Sequence, residues 1–477
     1  MSVRVPAMPR RRPVLALRRT SDVGLSLAMG LIVAVLIMIL PMQAALASSI
    51  VGAFVILALV DTRVAVLALL LVRSSMDVTA TVPLLSASGS ANVNAAAMMS
   101  FLAVGLAVAH VALAHIDVGR VPLIRPMALF LAVSLLGVAL APDKAASAQD
   151  WIRMLGSFAI YVLIVDLIET PAQQRWLIRI LLASTLAPVA VGIWQYATNT
   201  GNTDTEGLVR IYGTFTHPSP YSFFLVQMVP LAAVFFVHTH SKFARLGLGV
   251  IIPAMIFCIF EAQTRGAWVG LVVTVMVFSF ARARWTLIFI PLIAGAMYFG
   301  VSTVRARVSE ATDTTGSVLW RQQQWQNALG VASTPQLATV GAGLGAVETE
   351  LGQPTHNEYL RLLVETGALG LAIVLVMYAK LWRLARDAER AAANAFERDV
   401  LLAFMMAFVG RAAIALSDNV IVHPALDWYF WAAAGLVVAM GGSYRRQRAG
   451  QRRPSAGDGA AAASPPPSAP RRAGASL

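Results

Sequence analysis

Apolar residues run through this chain in long blocks rather than in alternation. The blocks fall near 23–40, 43–60, 62–73, 94–115, 121–141, 151–169, 174–196, 218–238, 243–260, 265–282, 284–300, 357–380, 399–418 and 425–441. Most approach the roughly 20 residues that a helix needs to cross a bilayer. The block at 62–73 is short and reads as a re-entrant or tilted piece. Continuous apolar runs, without two-residue alternation, speak against a β-barrel. The pattern predicts an all-α polytopic membrane protein with about 12–14 transmembrane helices. It also predicts one large periplasmic loop, between the third- and fourth-last helices.

Composition strengthens that class. The chain is 58% hydrophobic and 13% charged, against about 25% charged in a soluble domain, and its mean hydropathy is +0.70. The net charge of +13 does not call for nucleic acid. Lys and Arg cluster at the two ends and in short connections, as the positive-inside rule produces. The basic connections at 238–245, 281–284 and 380–399 alternate with those at 197–217, 261–264, 301–356 and 419–424. Placing the basic set in the cytoplasm puts both termini there and the other set outside.

The chain then divides into a basic cytoplasmic N-terminus (1–22), N-terminal transmembrane helices (23–300), a periplasmic loop (301–356), C-terminal transmembrane helices (357–441) and a disordered, basic, Pro/Ala-rich cytoplasmic tail (442–477). Arginines in the tail can also touch membrane lipids. The first apolar run follows RRRPVLALRR and reads as an uncleaved helix rather than a signal peptide. Cys258, the only cysteine, can form no intrachain disulfide.

The candidate chemistry lies in the outer connections. Arg210 stands near Tyr212. Arg265 follows Gln263 and Thr264 at the head of an apolar run. Arg321 sits in SVLWRQQQWQNAL, which reads as an amphipathic helix within the large loop. GAGLGA (341–346) makes a flexible turn before His356, Asn357 and Glu358 open another apolar helix. Each residue alone has an ordinary reading: an arginine snorkelling to headgroups, a solvated loop charge, or a capping histidine. Their combination on one side of the membrane carries the functional reading.

Arginine forks match phosphate oxygens. The chain has no HExxH, no Cys pair and no P-loop, and no βαβ unit surrounds GAGLGA. ATP is absent outside the cytoplasm, so a reaction there needs a pre-activated donor, for which a lipid diphosphate is suited. Fixed cations would stabilise the charge as it leaves. A neutral imidazole would take a proton from an attacking hydroxyl, and the helix N-terminus beside His356 disfavours its protonated form. Asp166 and Arg411, inside apolar runs, are expected to be paired, either with each other or Arg411 with Asp418. Glu365 is placed to orient an arginine.

Four stretches in order resemble the O-antigen ligase and polysaccharide polymerase superfamily of bacterial membrane glycosyltransferases. They are RIYGTFTHPSPYSFFLVQMVPL (210–231), QTRGAWVGL (263–271), LWRQQQWQNAL (319–329) with VGAGLGA (340–346), and HNEYLRLLVETGALG (356–370). The resemblance covers about residues 150–440. It implies a multi-pass protein of the bacterial inner membrane that transfers a glycan from an undecaprenyl-diphosphate carrier, with neither metal nor cofactor. The acceptor would be the end of another lipid-linked repeat, a lipid A core sugar or a protein hydroxyl. By resemblance, Arg210, Arg265 and Arg321 contact the diphosphate and His356 activates the acceptor. Asn357 and Tyr359 shape the site, Tyr212 joins the substrate contacts, and His217 is of second rank. Ser219 departs from the family, which usually has Asn in HPSP. An exopolysaccharide or O-antigen polymerase is the favoured reading. A secondary anion transporter is the alternative from another class, disfavoured because no internal repeat is visible and the polar residues gather at one face.

Overall fold

In the computed structural model, the described residues are 52–81, 85–86, 92–93, 95–203, 207–300, 304–305, 309, 317–334 and 337–442. The apolar run 23–40, the basic N-terminus and the tail beyond 442 lie outside them. The architecture is all-α, as expected of a polytopic membrane protein. Among the described residues, strands amount to two antiparallel two-residue pairs, Leu85–Ser86 with Asn92–Val93 and Asn202–Thr203 with Val209–Arg210.

Among the described residues, six helices are long and apolar enough to cross a membrane: Ala97–Ala114, Pro171–Thr198, Pro218–His238, Lys242–Glu261, Arg265–Arg282 and Glu358–Arg390. Helices at Lys144–Leu167, Ala395–Ile414 and Pro424–Gly441 complete the packed centre, with Ile124–Leu140 a shorter apolar helix beside them.

Local signals fix many helix starts. Asp61, Asp143, Ser241 and Asn394 cap with their side chains, Thr170 and Gln173 form a reciprocal capping box, and proline fills the first turn at 171, 218 and 424. The centre is the second half of Lys144–Leu167, where every residue from Gly156 to Leu167 is buried. Ile164 and Tyr161 pack closely on Gly435 of the last helix.

Two expected single spans are broken, each for a visible reason. The span Pro171–Thr198 is interrupted at Ser184–Thr185, which divides it into the helices Pro171–Ala183 and Leu186–Thr198. Pro188 has no N–H for the carbonyl of Ser184, and the hydroxyl of Ser74 donates to that carbonyl instead, at 2.7 Å. Such a replacement partner is what permits broken helices at membrane depth.

The run from 357 is kinked at Gly367, whose φ of 67° is left-handed. Residues 338–343 cross the break. Ala342 N–H donates to Val364 and Gly343 N–H to Glu365, while Ala368 and Leu369 donate back to Ala338 and Thr339. The glycine-rich segment is therefore a turn pinned to the kink by backbone hydrogen bonds. A Cβ at Gly341 or Gly367 would collide with the opposing backbone.

The chain passes repeatedly between two ends. At one end, His238 and Arg282 both meet Asp399, at 2.8 and 2.9 Å, where the charge pattern predicts cytoplasm. The connections expected outside gather at the other end.

Candidate active site

Five segments meet at that second end: 207–217, 261–266, the helix Ser317–Ala332, 354–358, and 415–423. The first is clamped by Gln195. Its amide oxygen accepts from the N–H groups of Tyr212 (2.9 Å) and Gly213 (2.8 Å), and its nitrogen donates to the carbonyl of Gly213. Gly213 is left-handed, and a Cβ there would strike the carbonyl of Pro188 at 2.6 Å. The loop then rises to His217, which caps the helix Pro218–His238 by accepting from Ser219 N–H at Nδ1, 3.2 Å.

Arg210 reaches across this loop. Its Nε donates to the carbonyl of Ala262 (3.1 Å) and its Nη2 to the hydroxyl of Thr264 (3.0 Å). Arg265 opens the next helix, and the adjacent Gly266 lies so close to Ser417 that a Cβ would stand 2.7 Å from its hydroxyl. From the other side Arg321 donates to the carbonyl of Ser417 at 2.9 Å. Arg321 is thus bonded to the stretch 417–419, while Arg210 is bonded to the 262–264 segment from which Arg265 opens its helix.

His356 faces the same stretch. Its Nδ1 lies 3.3 Å from a carboxylate oxygen of Asp418, and its ring packs edge-on to Trp320 at 5.7 Å between centroids. Its φ is 47°, a left-handed conformation that is uncommon outside glycine. Such a backbone persists only where surrounding bonds over-determine it. Here Trp325 donates to the carbonyl of Thr355 (2.9 Å), and Asn419 accepts from the Asn357 N–H (3.1 Å) and the Thr355 hydroxyl (3.3 Å).

Glu358 locks the arrangement. One carboxylate oxygen accepts from the N–H groups of Val420 (2.6 Å) and Ile421 (2.9 Å), and the other from Arg361.

Burial at this end favours the neutral form of His217 and His423. His217 is pushed down to about 4, first by the enclosing walls and then by Arg210, with Asp418 opposing. His217 as a whole is exposed. His423 is lowered by burial, against the pull of Asp418 and Asp77. Burial alone would raise the Asp418 carboxyl, but the hydrogen bond and charge of His356 outweigh it and hold the group below its usual range.

Two expectations fall inside the frame of the site, and the pairing of Arg411 needs correction. The side-chain oxygen of Asn357 caps its own helix, accepting from Tyr359 N–H and Leu360 N–H. The hydroxyl of Tyr359 donates to the carbonyl of Ala412 at 3.2 Å. Both residues therefore build the frame of the site. Arg411 pairs with Asp427 of the last helix, not with Asp418 or Asp166, and Asp166 pairs with His110 at 2.9 Å. Glu365 does orient an arginine, the buried Arg361.

Sequence reasoning missed Asp418 as a partner of His356, along with Asn419, Glu358 and Trp320. The local signal was a run of polar residues, Ser417 to Asn419, just beyond an apolar helix. A contact 62 positions from His356 (418 − 356) has no shorter-range signature. Residues 228–375 match the protein-family model described as O-antigen ligase. No curated protein matches the chain.

Proposed function

From the premise that this chain carries an O-antigen ligase domain over residues 228–375 and is a glycosyltransferase-like multi-pass bacterial membrane protein, we propose that it transfers a glycan from a polyprenyl-diphosphate carrier to an acceptor hydroxyl. The reaction takes place on the periplasmic face of the inner membrane, with both termini in the cytoplasm. The acceptor is the end of another lipid-linked repeat, which makes the protein an exopolysaccharide or O-antigen polymerase. The observation that carries this reading is Arg321 on the Ser417 carbonyl beside the His356–Asp418 pair, with Arg210 on Thr264, the residue before Arg265.

The chemistry follows from that arrangement. With Nδ1–H directed at Asp418, the Nε2 lone pair of His356 is available to the acceptor hydroxyl. The acceptor oxygen attacks the anomeric carbon, and its proton passes to Nε2. The carbon–oxygen bond to the diphosphate breaks, and the electron pair leaves with the lipid diphosphate. Guanidinium groups bind that leaving group and offset its growing charge. Asp418 orients the imidazole and stabilises the imidazolium. Metal independence is part of the proposal, and undiminished transfer in EDTA is its expected sign.

The test is to replace His356 and Arg321 separately by Ala, with membrane levels verified, and to follow glycan length. Both variants should lose long-chain product, and unpolymerised single repeats should remain on the lipid carrier. Full-length polymer retained on the carrier would instead mean a ligase onto lipid A core or protein. Undiminished product in both variants would remove the enzyme reading.

A further inference from the structure

Next to His217 in the chain, Thr214 and Thr216 are bonded to the N-terminal part of the protein. The turn Asp77–Thr81 follows the helix Thr62–Arg73 and is stitched to the 207–217 loop. Val78 N–H donates to the carbonyl of Thr214 (2.8 Å), and the hydroxyl of Thr214 to the carbonyl of Ser74 (2.7 Å). One Asp77 oxygen meets Arg73 at 3.3 Å, and the other lies 3.5 Å from the Thr216 hydroxyl. Thr216 is exposed.

We infer that Asp77 and Thr216 form a hydroxyl-binding subsite for a sugar ring of the glycan, contributed in part by a region that the ligase domain does not span. This rests on the transferase reading. A carboxylate has about four acceptor positions, and Asp77 uses two. A carboxylate beside a hydroxyl matches neighbouring sugar hydroxyls, which both donate and accept. The subsite suits sugar rather than diphosphate, since a carboxylate repels phosphate and Arg73 is already turned to Asp77 and stacked 5.6 Å over Trp428. Stability alone is a weak reason for this pair, because buried ion pairs return little against desolvation.

The experiment uses the full chain in lipid nanodiscs. The donor probe is lipid-linked glycan isolated from cells lacking the gene, and the acceptor probe is the same glycan released from its lipid. Asp77→Asn and Thr216→Val are compared with the unaltered chain, and KM is measured for each probe in turn. Losing a hydrogen bond to the sugar should raise one KM about ten- to hundredfold, with kcat nearly unchanged. A donor effect places the donor ring at the subsite, and an acceptor effect the acceptor ring. Undecaprenyl diphosphate should inhibit all three proteins equally.

The inference is overturned if neither KM moves, if inhibition by undecaprenyl diphosphate weakens in parallel, or if both variants lose kcat and thermal stability together. Thr216→Val guards against a folding defect at Asp77, because Thr216 is exposed. Absence of turnover by the unaltered chain would sink the transferase reading, whereas active variants with unchanged KM would sink this inference alone.

Discussion

Replacing Glu358 by Ala tests how the site is held. Its carboxylate accepts from two backbone N–H groups, those of Val420 and Ile421, and from the guanidinium of Arg361. All of this is buried, with Glu358 2% exposed. Each orphaned N–H costs about 1–3 kcal/mol, and breaking a buried ion pair about 3–5 kcal/mol. Arg361 keeps Glu365 as a partner, so its contribution falls at the low end, and neighbouring losses do not add fully. A destabilisation of about 3–5 kcal/mol is expected for Glu358→Ala.

Glu358→Gln retains one oxygen acceptor for the two amides, loses the acceptor and charge that meet Arg361, which keeps Glu365, and should cost about 1–2 kcal/mol. The functional effect should exceed the structural one, because the segment 417–421 carries Asp418 to His356. Thermal unfolding in detergent, read beside transfer of lipid-linked glycan, separates the two. Glu358→Gln should melt close to the unaltered protein yet transfer about tenfold or more slowly, since a small misplacement of catalytic groups is enough. A Glu358→Ala variant that melts and transfers normally would refute the reasoning.

Three further outcomes are expected. Ser74→Ala leaves the Ser184 carbonyl without its donor and should lower stability by about 1–3 kcal/mol, whereas Ser74→Thr should restore it; melting curves of the two variants decide. Gly367→Ala should abolish accumulation of folded protein in membranes, because its Cβ meets the Thr339 carbonyl and its φ is positive; normal accumulation would mean the crossing segment moves aside freely. The folded pKa of His217, at about 4, is below its ordinary 6.5, so the unfolded chain binds the extra proton. Its contribution to stability is full above about pH 6.5 and is lost as pH falls toward 4. His217→Asn should then lose less stability than the unaltered chain between pH 7 and 4.5, and equal losses would show that His217 takes no part.

The helices at Pro218–His238 and Arg265–Arg282 coincide with the apolar runs at 218–238 and 265–282 because start and stop signals are local: a proline in the first turn, and arginines at both ends of the second. The breaks were not legible. Pro188 lies inside an apolar run, and only the hydroxyl of Ser74, more than a hundred positions away, makes the interruption tolerable. Gly367 reads as one small residue among many until residues 338–343 are seen to cross it.

The site shows the same division. Arg210, Arg265, Arg321 and His356 were visible as polar residues at the outer ends of apolar runs. Asp418 and Glu358 act through partners far along the chain. The pairing of Arg411 with Asp427 depends on two helices packing side by side, so nearness in sequence pointed to the wrong carboxylate.

The most direct measurement of the central claim is binding of undecaprenyl diphosphate to the purified chain, set beside transfer from the lipid-linked glycan. Arg210→Ala, Arg265→Ala and Arg321→Ala should each weaken binding, while His356→Ala should bind as the unaltered chain does and transfer nothing. Arginine variants that bind undecaprenyl diphosphate normally, or a His356→Ala variant that still builds polymer, would contradict the account.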